Sequence, residues 1–171
     1  MSRIAGSSRD VAILGFRRQA VPVLSTLAAS LLDALPIVVS WPIVPDFAFL
    51  VLVAWRLLRP EIWQAHIALP LGLFNDLMAG HPIGQSMAVW TITFLAFELL
   101  DSRVGWRDYL LDWLFAGLAI VFNLVAGWYI ARLMGARMEF EVLLPQLALS
   151  IFAYPLVARL VIGLDRWRLA R

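Results

Sequence analysis

Three aspartates, Asp33, Asp46 and Asp76, stand within or beside long apolar runs, with His66 before the third and His81 after it. A carboxylate at the centre of a membrane helix costs about 2.5 to 3.5 kcal/mol on insertion scales, so such groups point to a partner, a water-filled cavity or a packed polar core. Metal chemistry is not indicated, because neither histidine has a second histidine or a carboxylate at ligand spacing. Cysteine is absent, which removes thiolate catalysis, disulfides and Cys-ligated metals. No phosphate-binding loop, H-E-x-x-H pair or G-x-S-x-G elbow occurs, and nothing groups an acid, a base and an oxyanion site. The residues argue against an enzyme and call for no cofactor.

The elements that must position these groups are membrane helices. The chain of 171 residues is 62% hydrophobic and 15% charged, against roughly 25% charged in a soluble domain, and it carries eight Trp and ten Phe. At about 20 residues per crossing, its length allows about six spans and little else. The expected fold is an all-α polytopic membrane protein, one domain over residues 1–171, with helices near 21–39, 43–58, 62–79, 86–100, 110–131 and 142–164. All fourteen basic residues are arginine. With a cytoplasmic N-terminus, twelve lie on or near the inner side and only Arg132 and Arg137 outside, so the topology is N-in and C-in. Arginines spread over helix ends also argue against nucleic acid as a partner. The lipid bilayer is the expected surrounding.

The second span is short: residues 43–58 give about 24 Å of helix, against a hydrocarbon core near 30 Å. A re-entrant hairpin over residues 42–79 competes with two crossings, but it must carry Arg56 and Arg59 into or across the bilayer. The apolar run after Arg17 and Arg18 lacks a small-x-small cleavage site and ends at Pro36, Trp41 and Pro42, so it reads as an uncleaved first helix. Trp41, Trp55, Trp63, Trp106, Trp113, Trp128 and Trp167 fall near span ends, where indoles favour the headgroup boundary; Trp90 fits less well.

Small or polar faces recur at helical spacing: Ser25, Ala29 and Asp33; Ala119, Asn123, Gly127 and Ala131; and Ser150, Tyr154 and Ala158. They serve close packing within the chain or an interface with another membrane protein. Asp33 should face the bundle interior. Asp46, following Pro45, is placed to cap the second helix. Asp76 stands four residues from both Gly72 and Gly80 and so shares their face. Glu98, Asp101, Arg103, Arg107, Asp108 and Asp112 read as a solvated charge network between helices four and five, and Arg159 can snorkel to the inner boundary.

Four motifs then follow in order: Pro42, Pro45 and Asp46; Trp55, Arg56, Arg59 and Pro60; Gly72 and Asp76; and Gly80, Pro82 and Gly84. In this order and spacing they resemble the signature of the rod shape-determining MreD family, most closely over residues 36–101. The resemblance implies a non-enzymatic inner-membrane scaffold of the bacterial cell-wall elongation complex. Its partners would be MreC, RodA and the elongation transpeptidase, in register with MreB filaments. It also implies a compact six-helix bundle like the S-component fold of energy-coupling-factor transporters. Under that resemblance Asp46, Gly72, Asp76 and the Gly80 to Gly84 turn form an outer surface for MreC. The alternative is an S-component-like uptake subunit whose Asp33 and Asp76 line a cavity for a vitamin or other small molecule.

Overall fold

The computed structural model describes residues 8–33, 44–101, 108–137 and 139–169. They form six α-helices and one short 3₁₀ turn, and no strand occurs among them. In chain order the helices are α1 (Ser8–Asp33), α2 (Phe47–Leu58), α3 (Ala65–Ala79), α4 (Gln85–Asp101), α5 (Tyr109–Leu133) and α6 (Leu143–Leu169). Pro36, Trp41, Pro42, Arg103, Trp106 and Arg107 lie outside the described residues, as does the side chain of Asp33.

Helix ends depart from the hydrophobicity-based bounds for local reasons. Helix α1 starts at Ser8 rather than Val21, because backbone hydrogen bonding continues through its polar first turns, where Arg and Ala are good helix formers. Its expected end at Val39 lies outside the described residues. Helix α2 starts at Phe47 rather than Ile43, since Pro45 pushes Val44 out of the helical region and Asp46 takes the cap position. Helix α3 starts at Ala65 rather than Ile62, because a turn intervenes in which the Ile62 N–H donates to the Arg59 carbonyl at 3.1 Å. Helix α6 runs past Leu164 to Leu169, where ion pairs hold its polar last turn.

Helix α2 is the axis of the bundle. It packs against α1, α5 and α6, and Phe49 reaches Trp90 of α4 with ring centroids 6.2 Å apart. Nine of its twelve residues are buried, so protein rather than lipid surrounds it. Its length of about 18 Å therefore requires no thinning of the bilayer around it. The same burial corrects the expectation for two indoles. Trp55 and Trp63 are 0% and 1% exposed and belong to the core, not to a headgroup boundary. Apolar neighbours enclose Trp55, and its Nε1–H donates to Ser25 Oγ at 2.9 Å. Trp113 and Trp167 are exposed, as a boundary role requires.

Helices α5 and α6 form the opposite environment. They are long and apolar enough to cross a membrane, and only 17% of each one's apolar window is buried within the chain. Leu114, Leu118 and Val125 on α5, and Phe152, Leu156 and Leu160 on α6, are exposed. Such surfaces are stable where the solvent is hydrocarbon. The small faces turn the other way. Ala29, Ala119, Ser150 and Tyr154 are buried, and Ala158 packs against the core. Close packing within the chain thus accounts for these positions.

Candidate functional site

Helices α3 and α4 meet in a tight corner built by the glycine-rich motif. A Cβ on Gly72 would stand 2.6 Å from the backbone N and Cα of Met87, so only glycine lets α4 begin this close to α3. Gly80 ends α3 in the left-handed region at φ 69°, and Gly84 turns the chain again at φ 97°. Asp76 lies 1% exposed beneath this turn. Its Oδ2 accepts the Gly84 N–H at 2.8 Å and its Oδ1 accepts the Ser86 N–H at 2.7 Å. The carboxylate thereby satisfies backbone donors at the start of α4 from another helix, where the helix dipole favours a negative charge. Asn75 adds a bond from Nδ2 to Ser86 Oγ at 3.2 Å.

The corner projects a small surface. Ile83, between Pro82 and Gly84, is 78% exposed at its tip. Proline and the Asp76 bonds fix the backbone that carries it.

Asp46 performs two tasks nearby. Its Oδ1 accepts the Phe49 N–H at 2.8 Å and caps α2, while its Oδ2 accepts Asn123 Nδ2–H at 3.1 Å and ties α2 to α5. Gln146 at the start of α6 donates to the Val44 carbonyl at 2.8 Å, just before buried Pro45. Asp46, His81, Gln85, Asn123 and Gln146 line a cleft of about 420 Å³ with Trp128.

The other end of the bundle holds arginines. Arg56 is 2% exposed, pairs through Nη2 with Asp101 at 2.8 Å, and lies over the Phe94 ring at 5.9 Å. Its Nε and Nη1 find no partner among the described residues. Arg59 donates to Asp165 Oδ2 from Nε at 3.2 Å and from Nη2 at 2.8 Å, two charge-assisted bonds to one oxygen that clamp the end of α2 to α6. That hydrogen bond raises the Arg59 guanidinium above its ordinary pKa. Arg168 pairs with the same carboxylate at 2.6 Å and stacks over Trp55. The expected solvated network is thus corrected in part: Asp101 braces a buried guanidinium, and Glu98 Oε1 accepts the Ala65 N–H at 3.0 Å at the start of α3.

Of the candidate residues, Gly72, Asp76, Gly80, Pro82 and Gly84 come together in the α3–α4 corner. Pro45 and Asp46 stand at the cleft, whereas Arg56 and Arg59 lie at the far end with separate partners. Asp76 is 1% exposed and does not line the cleft, which leaves the uptake alternative without support at that residue. Sequence reasoning missed Asp165, Arg168, Asn75, Gln146 and the cleft itself. An acid three residues before an arginine at the end of an apolar helix was the available signal for the first two.

An all-helical bundle with two long, lipid-suited helices and an apolar core that encloses a few paired polar groups is that of a membrane-associated helical protein. The family model of the rod shape-determining protein MreD matches residues 16–166. The chain belongs to the MreD family, whose role is rod-shape determination. No curated protein and no solved structure matches it.

Proposed function

We propose that this chain is a non-enzymatic scaffold of the bacterial cell-wall elongation complex. It would be a multi-pass inner-membrane protein that binds MreC and supports peptidoglycan synthesis with RodA, the elongation transpeptidase and MreB filaments. The whole chain would act as one membrane domain of S-component-like shape, with six crossings and both termini on the arginine-rich cytoplasmic side. The observation that carries the proposal is the α3–α4 corner. Family-signature residues are spent on making that turn rigid, and a rigid turn with the exposed aliphatic tip Ile83 suits docking, since little order remains to be imposed on binding.

Affinity purification in mild detergent from native membranes, followed by mass spectrometry, tests it. MreC should co-purify with the wild-type chain and be depleted with Ile83→Glu at equal membrane abundance, with loss of rod shape. Ile83 is the better probe than Asp76, whose removal damages the fold. Retention of MreC and rod shape in Ile83→Glu would remove the corner from the interface. Absence of MreC from the wild-type eluate, with an energy-coupling ATPase in its place, would overturn the scaffold proposal in favour of uptake.

A further inference from the structure

We infer that the cleft between α2, the α3–α4 turn, α5 and α6 is a binding site for a primary-amine head group on an apolar stem. Its volume of about 420 Å³ lies within the range of small-ligand sites, roughly 300 to 1,000 Å³. Side chains from separate elements converge on it: Asp46 before α2, His81 in the turn, Gln85 on α4, Asn123 on α5 and Gln146 on α6. Leu124, Met134 and Leu143 supply an apolar part.

The charge of the ligand follows from what the cleft already satisfies. Helices α2, α4 and α6 all begin at this region, which by itself would favour an anion. Each end is answered within the chain, α2 by Asp46, α4 by Asp76 and α6 by the preceding 3₁₀ turn, whose Phe140 carbonyl accepts the Leu143 N–H. Among the described residues no arginine lines the cleft itself, although Arg132 lies over the ring of its Trp128 at 5.1 Å. The Asp46 carboxylate has about four lone-pair sites, and the Phe49 and Asn123 bonds use two. The Gln85 carboxamide lines the cleft with no hydrogen bond of its own among the described residues, and the Gln146 bond uses only its N–H, leaving the carbonyl oxygen as an acceptor. Surplus acceptors beside one carboxylate suit a group with several N–H donors and a positive charge. An ammonium supplies three donors from one atom.

Two sources offer that chemistry, an ethanolamine phospholipid of the surrounding bilayer and a soluble amine. The full chain is placed in nanodiscs of phosphatidylglycerol, and its thermal midpoint is followed as phosphatidylethanolamine or soluble glycerophosphoethanolamine is added. A rise with the lipid alone assigns the site to a bilayer headgroup, and a rise with both assigns it to a free amine as well. Asp46→Asn retains a capping side chain but removes the charge, and should weaken the response about tenfold, the usual effect of losing a charged hydrogen-bond partner. Gln85→Ala, which disturbs no cap, should weaken it less and carries the test if Asp46→Asn does not fold. No midpoint change with either probe, or responses unaltered in both variants, overturns the inference. The scaffold proposal stands or falls separately, on MreC recovery.

Discussion

The two ends of the bundle use carboxylates in different ways. At the cleft end, Asp46 and Asp76 accept backbone N–H groups and fix where α2 and α4 begin. At the arginine end, Asp101 and Asp165 hold guanidiniums from α2. Helix polarity explains the division. The axial helix α2 presents unsatisfied N–H groups at one end and Arg56 with Arg59 at the other, so the same residue type meets different donors. Every substitution except proline leaves a backbone donor in place, whereas guanidiniums can be replaced together with their acids. The cleft end should therefore be brittle and the arginine end open to paired replacement.

The largest effect is expected at Asp76. Asp76→Ala leaves one buried and one half-buried backbone donor without an acceptor, at about 1 to 3 kcal/mol each with the half-buried one at the lower end, and should lower unfolding stability in detergent by about 4 kcal/mol. A loss below about 1 kcal/mol would mean that water replaces the carboxylate and that the corner is not brittle.

Asp101→Ala comes next. Removing the partner of a buried charge costs about 3 to 5 kcal/mol, and the 29% exposure of Asp101 places the expected loss at the lower end, about 3 kcal/mol. The double variant Arg56→Met with Asp101→Leu should recover most of that loss in the same unfolding assay. If the double variant is as unstable as the single one, the arginine end is as intolerant as the cleft end and the contrast fails.

Asp46 separates capping from charge. Asp46→Ala should cost about 1 kcal/mol and Asp46→Asn only a few tenths, because both Asp and Asn are strong N-cap residues. Equal losses would show that the charge, rather than the cap, holds α2 in place. The smallest effect belongs to Glu61, 63% exposed and 3.6 Å from Arg59. Glu61→Gln should change stability by less than about 0.5 kcal/mol, since exposed pairs are screened and mobile. A larger change would show that Arg59 depends on Glu61 as well as on Asp165.

Much of the candidate site was legible in the sequence as position and little of it as contact. The spacing of Gly72, Asp76 and Gly80 placed them on one face, because helical period is a local property. It could not show that Gly72 faces the start of α4 or that Asp76 reaches two N–H groups eight and ten residues ahead. Likewise, Pro45 and Asp46 marked a helix start, while the Asn123 bond, 77 residues away, followed only from folding. The assignment of Trp55 and Trp63 to a boundary failed because proximity to a span end does not reveal which neighbours surround an indole.

By itself the sequence determined that this chain is helical and suited to a membrane, approximately where its helices lie, and through its motifs the MreD resemblance. Apolar run length, helical period and proline or glycine punctuation act over a few residues and can be read in one dimension. Only the tertiary structure decided that α2 is the enclosed axis, that α5 and α6 present the lipid-suited faces, and that Arg59 and Arg168 share Asp165. Burial and ion pairing depend on which helices become neighbours, and that is set by packing between segments far apart in the chain.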